Sequence, residues 1–144
     1  MQFKTIREPK RGAERFARQT GPRGFYFAFD YQLSHRPEAE SVEVRIDPLM
    51  AYEMEEFWPY IQAGVRDGCR EAERQGVRLC CTRLFIPLTK GHAVDTSPEL
   101  ARARLLEFIQ YHVVAWASPI DPLRAEWLTE VPHEWWTVGK RCKL

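Results

Sequence analysis

Two residues near the middle of the chain, His92 and Asp95, have the types and the spacing of an acid/base pair. The adjacent thiols of Cys80 and Cys81 lie a short way upstream and offer a nucleophile. Neither arrangement has a third group in its vicinity that would orient the base, as catalytic constellations require. The sequence therefore predicts that the chain is not an enzyme, and a small enzyme that uses His92 is the alternative.

The cysteines and histidines do not have the spacing of metal ligands. The four cysteines contain no CxxC pair, and the four histidines form no HExxH motif. A GxxxxGK[ST] loop is also absent, so no nucleotide site of the P-loop type is predicted. We expect no cofactor and no metal, and we expect the thiols to be reduced and buried.

The elements around His92 are predicted to be a strand, a turn, a loop and a helix. Val77–Ile86 is apolar and favours a strand, in which the two adjacent cysteines point to opposite faces. Leu88–Gly91 is predicted to be a tight polar turn. A Thr-Ser pair followed by Pro98 is typical of a helix start, and this helix is predicted to end near Trp116. His92 then lies at a loop tip, where it either contacts a ligand or bonds to the helix start.

The first half of the chain is predicted to supply an arm and two strands. The first 23 residues read as an extended basic arm with a short strand near Phe16–Thr20. Gly24–Leu33 is rich in aromatic residues, and Ser41–Asp47 alternates apolar and polar residues. Their connection, 34–40, is polar and contains proline. This pattern predicts two consecutive strands paired antiparallel through a hairpin loop.

Two helices are predicted, each with one apolar face. The first begins near Trp58, has Pro59 at its first position and is ended by Gly76. Gly64 and Gly68, four residues apart on it, permit a close approach to a sheet. Its buried face is predicted to contain Ile61, Val65, Cys69 and Ala72. The buried stripe of the second helix is predicted to be Leu105, Phe108, Ile109, Val113 and Trp116.

Composition is that of an ordinary soluble domain. The chain has 144 residues, with 44% hydrophobic and 28% charged residues. No apolar run approaches the roughly 20 residues of a membrane helix, and the first residues lack an apolar signal core. We therefore expect a cytoplasmic protein with no membrane contact. The net charge is +1, but residues 1–24 carry a net +5, which indicates either an anionic partner or a solvated basic arm.

Three motifs give the chain a resemblance to a known domain. His92-Ala-Val-Asp-Thr-Ser97 resembles the loop Gly-Ser-Tyr-His-x-Val-Asp-Ser-Ser-Glu, and Arg18–Tyr26 resembles Arg-Gln-Thr-Gly-Gly-x-Gly-Gln-Tyr. The helical pattern Glu-x-x-Pro-x-x-x-x-Gly-Ile-Arg is matched at Glu56–Arg66, and no insertion is needed from there to His92. All three patterns belong to domain IV of bacterial translation elongation factor G, and the resemblance covers about residues 3–116. The chain departs from the pattern at Pro22, Phe25 and Phe27.

The resemblance and the order of elements lead to the same fold prediction. The predicted class is α+β, a two-layer sandwich with a mainly antiparallel four-stranded sheet and two helices on one face. The resemblance implies the ribosomal protein S5 domain 2-like fold, as a stand-alone domain without the GTPase. It also implies a non-enzymatic, translation-related module that binds the ribosome or other structured RNA and takes no nucleotide. The RNA-binding residues it implies, on two tip loops, are Arg18, Gln19, Thr20, Gly21, Arg23, Lys90, His92 and Asp95.

A C-terminal extension rich in proline and tryptophan, residues 117–144, has no counterpart in the resemblance. Its tryptophans, Trp127, Trp135 and Trp136, are too apolar for a free tail. They are predicted either to pack on the domain of residues 1–116 or to bind a protein partner. The alternative function is accordingly a protein-interaction module that has kept the fold and lost the RNA role. It would use this tail together with Pro22, Phe25 and Phe27 to bind a protein partner or to self-associate.

Overall fold

A long antiparallel hairpin forms one side of the main sheet. It consists of β2 (Lys10–Thr20) and β3 (Arg23–His35). The structure is a computed structural model, and it describes four stretches of the chain: residues 1–20, 23–47, 55–91 and 96–120.

The main sheet has four strands in the order β2-β3-β6-β4. β6 (Thr82–Gly91) runs antiparallel to β3, whereas β4 (Val42–Ile46) runs parallel to β6. A smaller sheet has β1 (Gln2–Thr5) in its centre, with β5 (Val77–Leu79) parallel on one side and β7 (Ser118–Ile120) antiparallel on the other. The predicted α+β two-layer class is confirmed, but both sheets are mixed and the smaller sheet was not predicted.

The helices begin where the sequence places them. α1 (Trp58–Arg74) follows a short 3-10 turn and has proline in its first turn. α2 (Pro98–Glu107) is capped by Ser97, whose hydroxyl accepts a hydrogen bond from the Leu100 N–H at 3.1 Å. The helix continues as a π-helical segment, Phe108–Val113, and ends in the single turn α3 (Val114–Trp116). The predicted helix of about 98–116 is therefore confirmed, although its middle is wider than an α-helix.

The core lies between the helices and one face of the four-stranded sheet. Alternate residues of β3 face the helices, which is why this strand contributes so many aromatic side chains. The Phe29 ring meets the Phe108 ring edge-on, with 5.2 Å between centroids. The buried residues of the two helices include Ile61, Val65, Ala72, Leu105, Phe108, Ile109 and Val113. This confirms most of both predicted apolar faces, while Cys69 and Trp116 are partly buried at the margin.

Gly64 and Gly68 make the closest contact between the helices. A β-carbon at Gly68 would lie 2.6 Å from Cβ of Ile109 and 2.9 Å from the carbonyl oxygen of Leu106. A β-carbon at Gly64 would meet the carbonyl oxygen of Arg102. The expectation that these glycines approach a sheet was therefore wrong, because the face that carries them packs on α2 and its π-helical continuation.

Gly68→Ala is expected to lower the free energy of unfolding by about 1–3 kcal/mol, because the added methyl overpacks the contact with the buried Ile109 side chain and the Leu106 carbonyl oxygen. The higher helix propensity of alanine, about 1 kcal/mol, offsets only part of this cost. Urea denaturation measures the change. Arg66→Ala, at an exposed position of the same helix, is the control and should stay within about 0.5 kcal/mol. A more stable Gly68→Ala variant would contradict the close helix contact.

An ion pair between Asp67 and Arg102 links α1 to α2, with 2.6 Å between Oδ2 and Nε. The hydrogen bond from Arg102 lowers the pKa of the Asp67 carboxyl below its usual value. Because the folded-state pKa is the lower one, the stabilisation is present above the unfolded-state pKa, near 4, and is lost as the pH falls through the folded-state pKa. Asp67→Asn should therefore flatten the decrease in unfolding free energy below about pH 5. Glu99→Gln is the control, and equal pH profiles for wild type and Asp67→Asn would contradict the link.

The predicted strand 77–86 and turn 88–91 need correction. The strand is interrupted after Leu79, and β6 starts again at Thr82 because Cys81 has a positive φ of 54°. The segment Leu88–Gly91 is not a turn but the last part of β6. Proline is accommodated in this strand because the register shifts between Asp30 and Gln32, so that two residues of β6 oppose one of β3.

Two further predictions in the first half of the chain were wrong. The basic N-terminal segment is not a loose arm with a short strand, because β1 and the full length of β2 are built into the two sheets. β3 and β4 do not pair with each other, because β6 lies between them. The parallel pairing of β4 with β6 requires the long connection through α1.

The C-terminal region begins inside the fold. β7 pairs with β1, and the ammonium of Lys4 donates to the carbonyl oxygen of Val114 at 3.2 Å. The predictions for Trp127, Trp135 and Trp136 lie outside the described residues. Among the described residues, no helix has the length and apolar character needed to cross a membrane.

Candidate nucleic-acid interface

The hairpin places the first group of predicted RNA-binding residues at one end of the four-stranded sheet. Arg18 is exposed there, near the end of β2. Gly21 lies in the connection of two residues, which is outside the described part of the chain. The last three pairs of the hairpin ladder are Arg18–Phe25, Gln19–Gly24 and Thr20–Arg23.

β6 brings the second group to the same end. Its last two residues, Lys90 and Gly91, pair with Ala28 and Phe27 of β3. Phe27 is four residues along β3 from Arg23, which corresponds to about 13 Å of strand. The strands that lead into the two predicted loops therefore end close together, at the same end of the sheet.

The base of the second loop is held on β3. The hydroxyl of Thr96, the first described residue after the loop, donates to the carbonyl oxygen of Tyr26 at 2.5 Å. The same side chain packs so tightly on Gly91 that a β-carbon there would lie 2.7 Å from its Oγ1. Both ends of the segment that carries His92 and Asp95 are thus fixed beside β3. His92 and Asp95 are outside the described residues, and their place at the tip stays a prediction.

Cationic side chains with aromatic partners surround this end. The guanidinium of Arg15 lies 5.7 Å from the ring centre of Tyr26, and that of Arg104 lies 4.1 Å from the ring centre of Phe16. Arg104 also donates to Glu107 at 2.8 Å. The sequence did not identify Arg104 as part of this surface, because α2 is distant from β2 along the chain and no motif connects them.

The two phenylalanines of the alternative function differ in accessibility. Phe27 is 1% exposed and belongs to the core, so it cannot contact a protein partner, contrary to the alternative as predicted. Phe25 is 42% exposed and remains available. The cause is the alternation of β3, in which Phe27 continues the row that faces α2.

The three cysteine thiols in the described part of the chain, those of Cys69, Cys80 and Cys81, lie in environments that suppress reactivity. Cys80 and Cys81 are fully buried, and the Cys80 thiol donates to the carbonyl oxygen of Lys4 at 3.6 Å. Burial raises the pKa of the Cys69 thiol, so it stays protonated near neutral pH. Within the described ranges, no group of three or more His, Cys, Asp or Glu side chains forms a metal site.

Comparison with known proteins gives a fold relationship. No family model and no curated protein matches the sequence. Among solved structures, the chain is similar to the crystal structure of ttk003000868 from Thermus thermophilus, with a TM-score of 0.58 and 18% identity. The similarity covers 73% of this chain and 16% of that chain, so this chain spans about a sixth of that protein's length. At this identity the comparison supports the α+β fold and carries no functional assignment.

Proposed function

We propose that this protein is a non-enzymatic, translation-related binding module that contacts ribosomal or other structured RNA through one end of its main sheet. The surface, here called the tip, comprises the β2–β3 connection, the arginines Arg15, Arg18 and Arg23 on the strands beside it, and the loop between Gly91 and Thr96. The observation that supports it best is the anchoring of Thr96 to Tyr26, which fixes the base of one loop about 10 Å of strand from the other. Its proposed location is the cytoplasm.

The chemistry of the tip suits an RNA surface. Arg18 is exposed and Arg15 precedes it on β2, and guanidinium groups are suited to phosphate contacts. Such contacts orient a protein on RNA without reading its sequence. His92, if it is at the tip, adds a ring that stacks or hydrogen-bonds on an unpaired base. Because residues 25–144 carry a net charge of −4, net charge alone gives this part of the chain little attraction for RNA.

Co-sedimentation of the full chain with purified ribosomes at 50 and 200 mM salt tests the proposal. Three phosphate contacts give a salt dependence that lowers affinity by roughly 40-fold over this fourfold increase. We therefore expect pelleting with ribosomes at the lower salt and little at the higher. The protein without ribosomes is the control.

The result that would overturn the proposal is an absence of ribosome pelleting at 50 mM salt. The alternative, a protein-interaction module, predicts that absence. It also predicts an oligomer or a protein complex that is lost in Phe25→Ala, the variant at the exposed phenylalanine of β3.

A further inference from the structure

A second basic surface lies near the opposite end of the four-stranded sheet, on the face away from the helices. The register places one residue from each strand in a row across that face: Arg11 of β2, Gln32 of β3, Phe85 of β6 and Arg45 of β4. Nine residues of β2 separate this row from Thr20, which corresponds to about 30 Å of strand. The row is therefore separate from the tip.

A groove of about 840 Å³ follows this row. Its volume is within the range of ligand sites. It crosses all four strands, and its two ends lie on β2 and β4, the outer strands of the described sheet. We call it the arginine groove and define it by Arg11, Gln32, Ser34, Arg45, Arg83 and Phe85.

The groove has an excess of positive charge. Glu43 is the carboxylate beside it, and its oxygens lie 2.6 Å from Nε of Arg45 and 3.6 Å from a terminal nitrogen of Arg83. It also lies 3.5 Å from Nε of Arg36, which has a second carboxylate partner in Glu38 at 3.2 Å. Glu43 is therefore shared between the two groove arginines, Arg45 and Arg83, and Arg11 adds a further positive charge. Burial alone would raise the pKa of Glu43, but the hydrogen bond from Arg45 and the nearby positive charges lower it, and Glu43 stays ionised.

Some guanidinium N–H groups of the groove arginines remain available to a ligand after these pairings. Arg11 and Arg45 are exposed, and Nε of Arg83 is buried without a hydrogen-bond partner among the described residues. A buried donor of this kind is costly unless a ligand or solvent satisfies it. Anionic oxygen atoms of a phosphate are the acceptors that guanidinium groups bind best.

Phe85 supplies the apolar part of the groove. Its ring is partly exposed on a sheet face whose neighbouring positions are polar, between Gln32 and Arg45. A partly exposed aromatic ring among arginines on a sheet is suited to stacking a nucleic-acid base, and the amide of Gln32 offers a donor and an acceptor to the base edge.

We infer that the arginine groove binds a short segment of single-stranded RNA, with one base stacked on Phe85 and adjoining phosphates held by Arg11, Arg45 and Arg83. The distance between the outer β-strands of the sheet favours single-stranded RNA over a free nucleotide as the ligand. Arg11 and Arg45 are three strand spacings apart, about 14 Å, and both are exposed. A strand that crosses the sheet supplies phosphates to both ends, whereas one mononucleotide monophosphate supplies a phosphate to one end. This inference goes beyond the proposed tip function and does not depend on it.

Fluorescence anisotropy of the full chain with fluorescein-labelled hexauridylate, over a series of salt concentrations, tests the inference. Phe85→Leu should weaken binding by about 5- to 150-fold, the range of one stacked base, with the salt dependence unchanged. The double variant Arg11→Gln, Arg45→Gln removes two phosphate contacts, so the log–log salt slope should become shallower by about 1.4. The double variant Arg66→Gln, Arg70→Gln, at two exposed positions of α1, is the matched charge control and should bind as wild type does.

Three results would overturn the inference. They are an absence of hexauridylate binding at 50 mM salt, binding that both groove variants leave unchanged, and uridine monophosphate binding as tight as that of hexauridylate. Circular dichroism and urea denaturation of each variant show whether it is folded, and the arginine variants do not depend on the packing of Phe85. Groove variants measured with hexauridylate and tip variants measured with ribosomes report on the two surfaces separately, so the failure of either proposal is distinguishable from the failure of the other.

Discussion

Replacement of Phe108 with alanine should lower the free energy of unfolding by about 3–5 kcal/mol, the usual cost of removing a fully buried phenylalanine ring. The ring is 2% exposed, and its centroid lies 5.2 Å from that of Phe29 and 4.8 Å from that of Tyr31. Its centroid also lies 6.0 Å from that of Trp116, so the ring packs between β3 and the last turn of its own helix. A loss of this size is a large part of the roughly 5–15 kcal/mol that a domain usually has.

Urea denaturation followed by circular dichroism measures this loss. Tyr111→Ala is the matched control, because Tyr111 lies in the same π-helical segment and is 63% exposed. It should change stability by no more than about 0.5 kcal/mol. Equal losses for the two variants would mean that the π-helical segment is rotated relative to the sheet, and the assignment of Phe108 to the core would be wrong.

Local signals in the sequence predicted the helices well. A proline in the first turn of each helix, and a hydroxyl before the second, set the helix starts within one or two residues, because these groups satisfy or tolerate the free amides of the first turn. The apolar spacing then identified the buried face that contains Leu105 and Phe108. These predictions succeeded because the interactions that determine them lie within one turn of the chain.

Strand pairing could not be predicted in the same way. β6 inserts between β3 and β4, and nothing near Ser41–Asp47 in sequence indicates that its partner will be Thr82–Ile86. Pro87 directly follows the predicted strand Val77–Ile86, but in the structure it lies inside β6, where a bulge opposite β3 accommodates it. The positive φ of Cys81 could not be predicted either, because cysteine is common in apolar strands and its presence does not indicate a left-handed backbone conformation.

The two candidate surfaces also differ in whether the sequence alone could identify them. The motif around Arg18 was found from its sequence, since the resemblance lies in adjacent residues. The arginine groove was not found, because its four-residue row exists only once the register of β2, β3, β6 and β4 is known. A shift of one residue in any strand would turn its member of the row toward the helices.

Replacing Arg15, Arg18 and Arg23 with alanine should have the largest effect on RNA binding. The triple variant removes up to three phosphate contacts from the tip, and the log–log salt slope of ribosome binding should become shallower by about two units. The ratio of the wild-type affinity to the variant affinity for ribosomes should therefore decrease by about 16-fold as the salt concentration rises from 50 to 200 mM. Quantitative pelleting over that range measures both slopes.

The matched control removes three exposed arginines from α1, by replacing Arg66, Arg70 and Arg74 with alanine. Both triple variants change the net charge by the same amount, so a difference between them reports where the RNA lies and not the overall charge of the protein. His92→Ala should weaken binding to ribosomes and leave the slope nearly unchanged, because a neutral imidazole releases no counterions. Equal slopes for the two triple variants would show that binding follows net charge alone, and the tip would then have no specific part in it.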